Sequence, residues 1–275
     1  MGLTLANAEA QIRYGLANAR RLMIDKASLA TQIAGGFCSL WRATGVPGQG
    51  AVPGAWSVCA AGLLGSVSLP NVVAPNANYL AWGWASVQNA GYAPVIADRL
   101  GHCGNLSGIV TTAQAVNADL TVDTSNLQQR KGDADYSDVN WYLEWYTATG
   151  TTGVNATCAV TYDNGTTGNI VVAIPASTAA SRMIPIISAV AGRFIRGITS
   201  VTLSATTGTA GAFGVTALRE RTVLETDSIA FKRKVSTWAM LGIPEVYSDS
   251  CLFVCVDTLV TTSGTVRSQV KAITV

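Results

Sequence analysis

The sequence predicts an all-β protein: a β-sandwich or jelly-roll-like body with an N-terminal helical arm and a C-terminal hairpin extension. Three observations carry this prediction. Segments such as VNWYLEWY (139–146) and YLAWGWASV (79–87) alternate with period two and are rich in aromatic residues, the pattern of a pleated surface. Clusters of Thr, Gly, Asn and Asp separate such segments at short intervals, which favours a sandwich or jelly roll. Hydrophobic residues make up 49% of the 275 positions, which excludes disorder as the main state. Only 12% are charged, where an ordinary soluble domain carries about 25%. A surface so short of charge tends to meet other protein.

Residues 4–23 read as a helix, because Leu5, Ala8, Ile12, Leu16 and Ala19 recur at three- and four-residue spacing. Thr4 suits its N-cap, and Arg20 and Arg21 suit its C-terminal end. Residues 44–55, TGVPGQGAVPGA, read as a Pro/Gly loop without regular structure. In the strand at 79–87, Leu80, Trp82 and Trp84 alternate with Tyr79, Ala81 and Gly83. In the strand at 139–146, Trp141, Leu143 and Trp145 share one face, and Tyr142, Glu144 and Tyr146 share the other. A strand at 155–162 meets Asp163-Asn164-Gly165, whose tolerance of positive φ signals a hairpin into 169–174, and Pro175 stops that strand. Residues 198–205 form another strand, followed by the turn TTGTAG and the run AFGVTALRERTVL. Residues 251–259 and 265–274 flank Thr262-Ser263-Gly264 and read as a terminal hairpin. Composition divides the chain into a helix and Pro/Gly-rich arm (1–54), a β-sandwich domain (55–224) and a C-terminal extension (225–275).

The chemistry-bearing residues are few. Eighteen Lys and Arg against 16 Asp and Glu give a net charge of +2, too weak for a protein that coats nucleic acid. No charged residue occurs between Arg42 and Asp98, but Pro47, Pro53, Pro70, Pro75 and Pro94 interrupt that run, so no membrane-spanning helix is expected there. The first residues carry Glu9, Arg13, Arg20 and Arg21 and do not read as a signal peptide. The six cysteines are therefore expected to be reduced, small and buried. No C-x-x-C pair occurs, and a single histidine, His102, precludes a multi-histidine zinc site. His102 adjoins Cys103, and neighbouring side chains point apart, so a Cys-His catalytic pair is not expected there. Asp133, Asp135 and Asp138 have calcium-loop spacing, yet Asp138 occupies the position where such a loop needs glycine, so they read as a solvated acidic loop. GTTG and GTAG lie between strands, not at a strand-to-helix junction, and imply no phosphate cradle. No catalytic residue, no metal and no cofactor are expected.

The remaining candidates are surface features. Lys232, Arg233 and Lys234 form a basic group suited to an electrostatic contact. Trp82 and Trp84 are a candidate glycan platform, whereas Trp141 and Trp145 share a face with Leu143 and read as core. Cys38, Cys251 and Cys255 are candidates for assembly or cross-linking between subunits, and the four-residue spacing puts Cys251 and Cys255 on one strand face.

WYLEWYTATGTTGVNATCAVTYDNGTTGN, IPASTAASRMIPI and GITSVTLSATTGTAGAFGVTALR, between Trp141 and Arg219, resemble a group of tailed-bacteriophage virion proteins. In that group a W-x-L-E-x-Y-x-x-x-G strand and turn recurs, as does a closing S-V-x-L-S-x-T-T-G-T-A-G-x-F-G-V-T-L strand pair. DKASLATQIAGGFCSLWRATGVPGQGAVPG and PNANYLAWGWASVQNAGYAPVIADRL are similar to the same group, so the resemblance covers about residues 25–220. Residues after Leu224 depart from the pattern. The resemblance implies a non-enzymatic virion protein, a capsid decoration, cement or minor head protein, assembled in the bacterial host cytoplasm. Its implied partners are the major capsid protein or other virion proteins, and it implies a homo-oligomer, dimer or trimer, without specific nucleic acid or membrane. A neck, collar or tail component is the competing position, and a host-glycan-binding virion module the competing role.

Overall fold

The computed structural model describes residues 13, 15–27, 32–74, 76–259 and 264–275. The first strands are β1 (Arg20–Lys26), β2 (Gly36–Ser39), β3 (Gly45–Val46), β4 (Ser57–Val58), β5 (Asn78–Val87), β6 (Tyr92–His102), β7 (Leu106–Ser107) and β8 (Gln114–Asp119). Then come β9 (Asn140–Trp145), β10 (Val154–Tyr162), β11 (Thr167–Ile174), β12 (Arg182–Ile186), β13 (Ile195–Leu203) and β14 (Ala212–Val223). The last are β15 (Lys234–Ser236), β16 (Glu245–Val246), β17 (Leu252–Thr258) and β18 (Val266–Thr274). Short helices occupy Leu127–Arg130 and Trp238–Leu241. The all-β class predicted from alternation is the class observed.

Sheets stack face to face, and the middle one closes on itself. Strands β6, β17, β2, β12, β9 and β14 pair in that order, and β14 returns to β6, so these antiparallel strands form a barrel. Closure removes the exposed edges that an open sheet presents. A four-stranded sheet (β11-β10-β13-β8) covers one side of the barrel. Its inward residues, including Ala156, Cys158, Val160 and Val201, pack with Trp141, Leu143, Trp145, Phe213 and Val215 of the barrel. The other flanking sheet runs β15-β5-β18-β1-β3, with β16 also on β5. Its inward Leu22, Ile24, Leu80 and Val270 pack with Ile96, Leu252, Val254 and Val256 of the barrel.

Strand β9 therefore buries both faces. Its odd positions enter the core predicted for them; Tyr142 and Glu144 on the other face, and Tyr146 just past the strand, are also buried. Trp145 is fully buried and stacked on Phe213 at 4.4 Å. We expect Trp145→Ala to destabilise the protein by about 3–5 kcal/mol, the usual result of emptying a large aromatic site, measured as a shift of the urea midpoint. An unchanged midpoint would mean that this core collapses around the vacancy. The hairpin between β10 and β11 forms as expected, with Gly165 at φ +86° in the turn.

Five expectations need correction. Residues 15–17 are helical, but Arg20 already begins β1, so the helix does not reach 23; residues 4–12 lie outside the described residues. Leu22 and Ile24 point inward and Met23 outward, and pairing with β18 makes this short alternation decisive. The loop at 44–55 contributes the two-residue β3 to the edge of β1. The terminal pair is not a hairpin: β17 pairs with β6 and β2 in the barrel, whereas β18 pairs with β5 and β1 in the flanking sheet. Segments 1–54 and 225–275 are accordingly not an arm and an extension, since β1, β2, β17 and β18 all lie within the sheets. The consecutive strands β13 and β14 likewise divide between the four-stranded sheet and the barrel, so they are not a pair.

The faces of β5 also differ from simple alternation. Lys271 pairs with Trp82 but Ala272 pairs with Leu80, leaving Ala81 as an extra, bulged residue. Past that bulge Gly83, Ala85 and Val87 point inward, while Trp82 and Trp84 point outward.

Candidate functional site

Two places combine unusual chemistry with a defined position in the fold: the barrel interior and the outer face of the β5 sheet.

The barrel interior holds a buried charged network. Arg99 of β6 and Glu144 of β9 are both fully buried and meet at 2.5 Å from Nη2 to Oε2. Thr216 Oγ1 donates to the same carboxylate oxygen at 2.5 Å, and Tyr146 OH donates to it at 3.2 Å. The Arg99 guanidinium lies 4.7 Å from the Trp41 ring and 5.1 Å from the Phe253 ring. Burial alone would raise the Glu144 carboxyl; the Arg99 charge, with hydrogen bonds from Arg99, Thr216 and Ser39, overcomes this and holds it below its ordinary value. Just outside the barrel wall, Arg130 clasps Asp98 with two bonds of 2.6 and 3.0 Å and donates to the Arg99 carbonyl. Networks satisfied to this degree fix one arrangement of the strands around them.

The lone histidine belongs to this network. His102 Nδ1 accepts from Arg99 Nε at 2.8 Å, and its ring meets Trp41 edge-on. Cys103 lies on the other side of the strand, where its Sγ accepts from the Val215 amide at 3.2 Å. The expected divergence of His102 and Cys103 is thus observed. The cysteine that His102 does hydrogen-bond is Cys59, a pairing that sequence reasoning missed.

Cys38, Cys251 and Cys255, the cross-linking candidates, are all buried with free thiols. Cys251 and Cys255 share one cluster with Phe253 in the barrel, as their spacing implied. All three thiols lie within the interior of the subunit. The acidic loop does not converge on a point: Asp138 pairs with Arg219 at 2.6 Å, and Asp135 accepts from the Ser137 amide. Among the described residues no three His, Cys, Asp or Glu side chains form a metal-binding group. Nor is any described helix long and apolar enough to cross a membrane.

The outer face of the β5 sheet is built by cross-strand rows. Val235, Trp84, Gln269 and Met23 form one row; Trp82, Lys271 and Arg21 form the next. Met23 and Val235 are each 46% exposed. Phe231, Trp238 and Met240, also exposed, follow from the segments flanking β15. The basic group is only partly available here, because Lys232 pairs with Asp227 at 3.0 Å and Lys234 with Glu225 at 3.5 Å. Arg233 instead lies 4.3 Å from the Trp84 ring, and Lys271 lies 4.9 Å from the Trp82 ring. A sugar stacking on either indole would have to displace a cation worth about 0.5–1 kcal/mol at an exposed site. The geometry therefore favours a mixed apolar and cationic contact face over an open aromatic platform.

No family model matches the chain, and no curated protein matches it. Among solved structures, the VP2 subviral particle of infectious bursal disease virus is 10% identical, covering 99% of this chain and 86% of that one, with a TM-score of 0.18. T=1 particles derived from the same virus are 12% identical, covering 92% of this chain and 77% of that one, also at 0.18. A TM-score of 0.18 does not separate a shared fold from a shared richness in strands.

Proposed function

We propose that this protein is a non-enzymatic structural component of a tailed-bacteriophage particle, a capsid decoration or cement protein that bridges neighbouring capsid subunits. The observation that carries the assembly role is the outer face of the β5 sheet, where Met23, Val235 and the half-buried Trp82 and Trp84 lie uncovered among the described residues. Strands β5, β18 and β1 run roughly 25 Å, and with their flanking strands the face is roughly 20 Å wide. A standard interface takes ~800 Å² per partner, so the exposed Phe231, Trp238 and Met240 beside β15 have to join this face in the contact. Arg21, Arg233 and Lys271 supply cations around the apolar rows and suit a partner surface with carboxylates at its rim. The resemblance of residues 141–219 to tailed-phage virion proteins supports the particle, and the partner follows from it: the major capsid protein or another virion protein, with this chain as a homo-oligomer in the virion.

Quantitative mass spectrometry of purified particles tests the reading. Copies in the hundreds per particle support head decoration, about a dozen move the protein to the neck, collar or tail, and none overturns the proposal. We further expect Met23→Glu and Val235→Glu to leave stability within about 0.5 kcal/mol. Each should lower incorporation about tenfold, since an unpaired charge buried at an interface costs at least about 1.4 kcal/mol. Incorporation unchanged in both variants would remove this face from the interface.

A further inference from the structure

Cys59 and Cys251 are 192 positions apart in sequence, yet they occupy consecutive places along one edge of β6. The Cys59 amide donates to the Leu100 carbonyl at 3.0 Å, and the Arg99 amide donates to the Cys251 carbonyl at 2.9 Å. Strand β4 delivers Cys59 to this edge from one end, and β17 carries Cys251 away from it at the other. Both backbones are further anchored: Arg130 Nη1 donates to the Cys59 carbonyl at 2.5 Å, and the Cys251 amide donates to Asp98 Oδ1 at 2.9 Å. The two thiols are hydrogen-bonded to each other and fully buried among Trp41, Phe253 and Cys255.

We propose that Cys59 and Cys251 are a built site for an intramolecular disulfide, formed by a small peroxide, with Cys59 as the attacking thiol and Cys251 as the resolving one. The surroundings divide the two roles. His102 accepts from Arg99 at Nδ1, which leaves its Nε2 N–H to donate to the Cys59 sulfur. Burial works to raise the Cys59 thiol, but the hydrogen bonds from Cys251 and His102, together with the Arg99 charge, bring it well below the usual range. Cys251 is held well above that range, first by its hydrogen bond to Cys59 and then by burial. With hydrogen peroxide, the Cys59 thiolate attacks one oxygen and the O–O bond breaks, giving a sulfenic acid and, after proton uptake, water. The Cys251 thiol then attacks that sulfur, the S–O bond breaks, and a second water leaves with the thiol proton. Two thiols and one peroxide become one disulfide and two waters. The peroxide is close to water in size, and it reaches Cys59 when the adjoining loop, with Gly62, Leu63 and Leu64 exposed, opens. This cross-link differs from the one expected between subunits: it retains Cys251 but gives it a partner in its own chain.

The test uses the full chain, treated with hydrogen peroxide after reductant is removed, then denatured and alkylated without reduction. The expected result is four alkylated thiols in place of six and one linked peptide pair, containing Cys59 and Cys251. Six alkylated thiols, a link between any other pair, or a link between two chains would overturn the proposal. In Cys251→Ser, with its resolving thiol gone, Cys59 should accumulate as the sulfenic acid and be trapped by dimedone. Absence of that adduct in a folded Cys251→Ser protein would overturn the assignment of Cys59 as the attacking thiol.

Discussion

A chain that ends at Leu224 is expected not to fold. The cut falls where composition suggests that a sandwich domain ends, but the structure distributes the remaining residues through two layers. Without β17 the barrel opens between β6 and β2, exposing one backbone edge on each side. Without β18 the flanking sheet divides, because β5 and β1 meet only through it. Leu252, Phe253, Val254, Val256, Val266 and Val270 all leave the core. Burying one such side chain contributes about 1.5–3 kcal/mol, so losing these six alone removes about as much as the roughly 5–15 kcal/mol that stabilises a typical domain. Circular dichroism of the 1–224 chain should show no cooperative melt. A cooperative transition would restore the view of residues 225–275 as an appendage.

The second large effect comes from the pair inside the barrel. Glu144→Leu leaves the Arg99 guanidinium fully buried with no carboxylate, and we expect a loss of about 3–5 kcal/mol. The double variant Arg99→Met/Glu144→Leu should recover most of that loss, because an apolar pair of similar volume removes the uncompensated charge. Urea midpoints of the three proteins check this; a double variant no more stable than the single one would show that the barrel needs the ion pair itself. The same pair sets an acid limit. Glu144 in the folded chain is held below its ordinary value of 4.5, so the unfolded chain binds the proton more readily. Its contribution is present above about pH 4.5 and is lost as the pH falls through that value toward the depressed one. In the double variant this share of the acid sensitivity should disappear, measurable as a flatter midpoint-against-pH curve below pH 4.5.

The sequence shows the strands that keep one face to solvent and hides those that do not. The hairpin from β10 to β11 is readable because its inward residues alternate with exposed ones such as Val171, and because Gly165 marks the turn. Strand β6 is nearly all buried, so its polar residues break no visible rhythm, and the burial of the charged Asp98 and Arg99 has no sign in the sequence. The bulge at Ala81 reverses the outward side of β5, and no residue type announces it. The turn at 262–264 suggests a hairpin, but partners supplied by β5, β6, β1 and β2 decide where β17 and β18 go. The same applies to the site. His102 was visible as a lone histidine, but its thiol partner is 43 positions away and Cys251 is further still, a proximity that only the strand order creates.

The position of the late strands also has a consequence for synthesis on the ribosome. Strand β2 pairs with β17 through Cys38 and Val256, and β1 pairs with β18 through Leu22 and Val270. The first strands to emerge therefore wait for nearly the whole chain before their partners exist. During that time their backbone edges and apolar faces are exposed to other nascent chains, and contacts this distant in sequence close slowly. The barrel and the flanking sheet therefore cannot close until residues 252–274 have left the exit tunnel, and the yield should depend on how well the cell shields β1 and β2 until then.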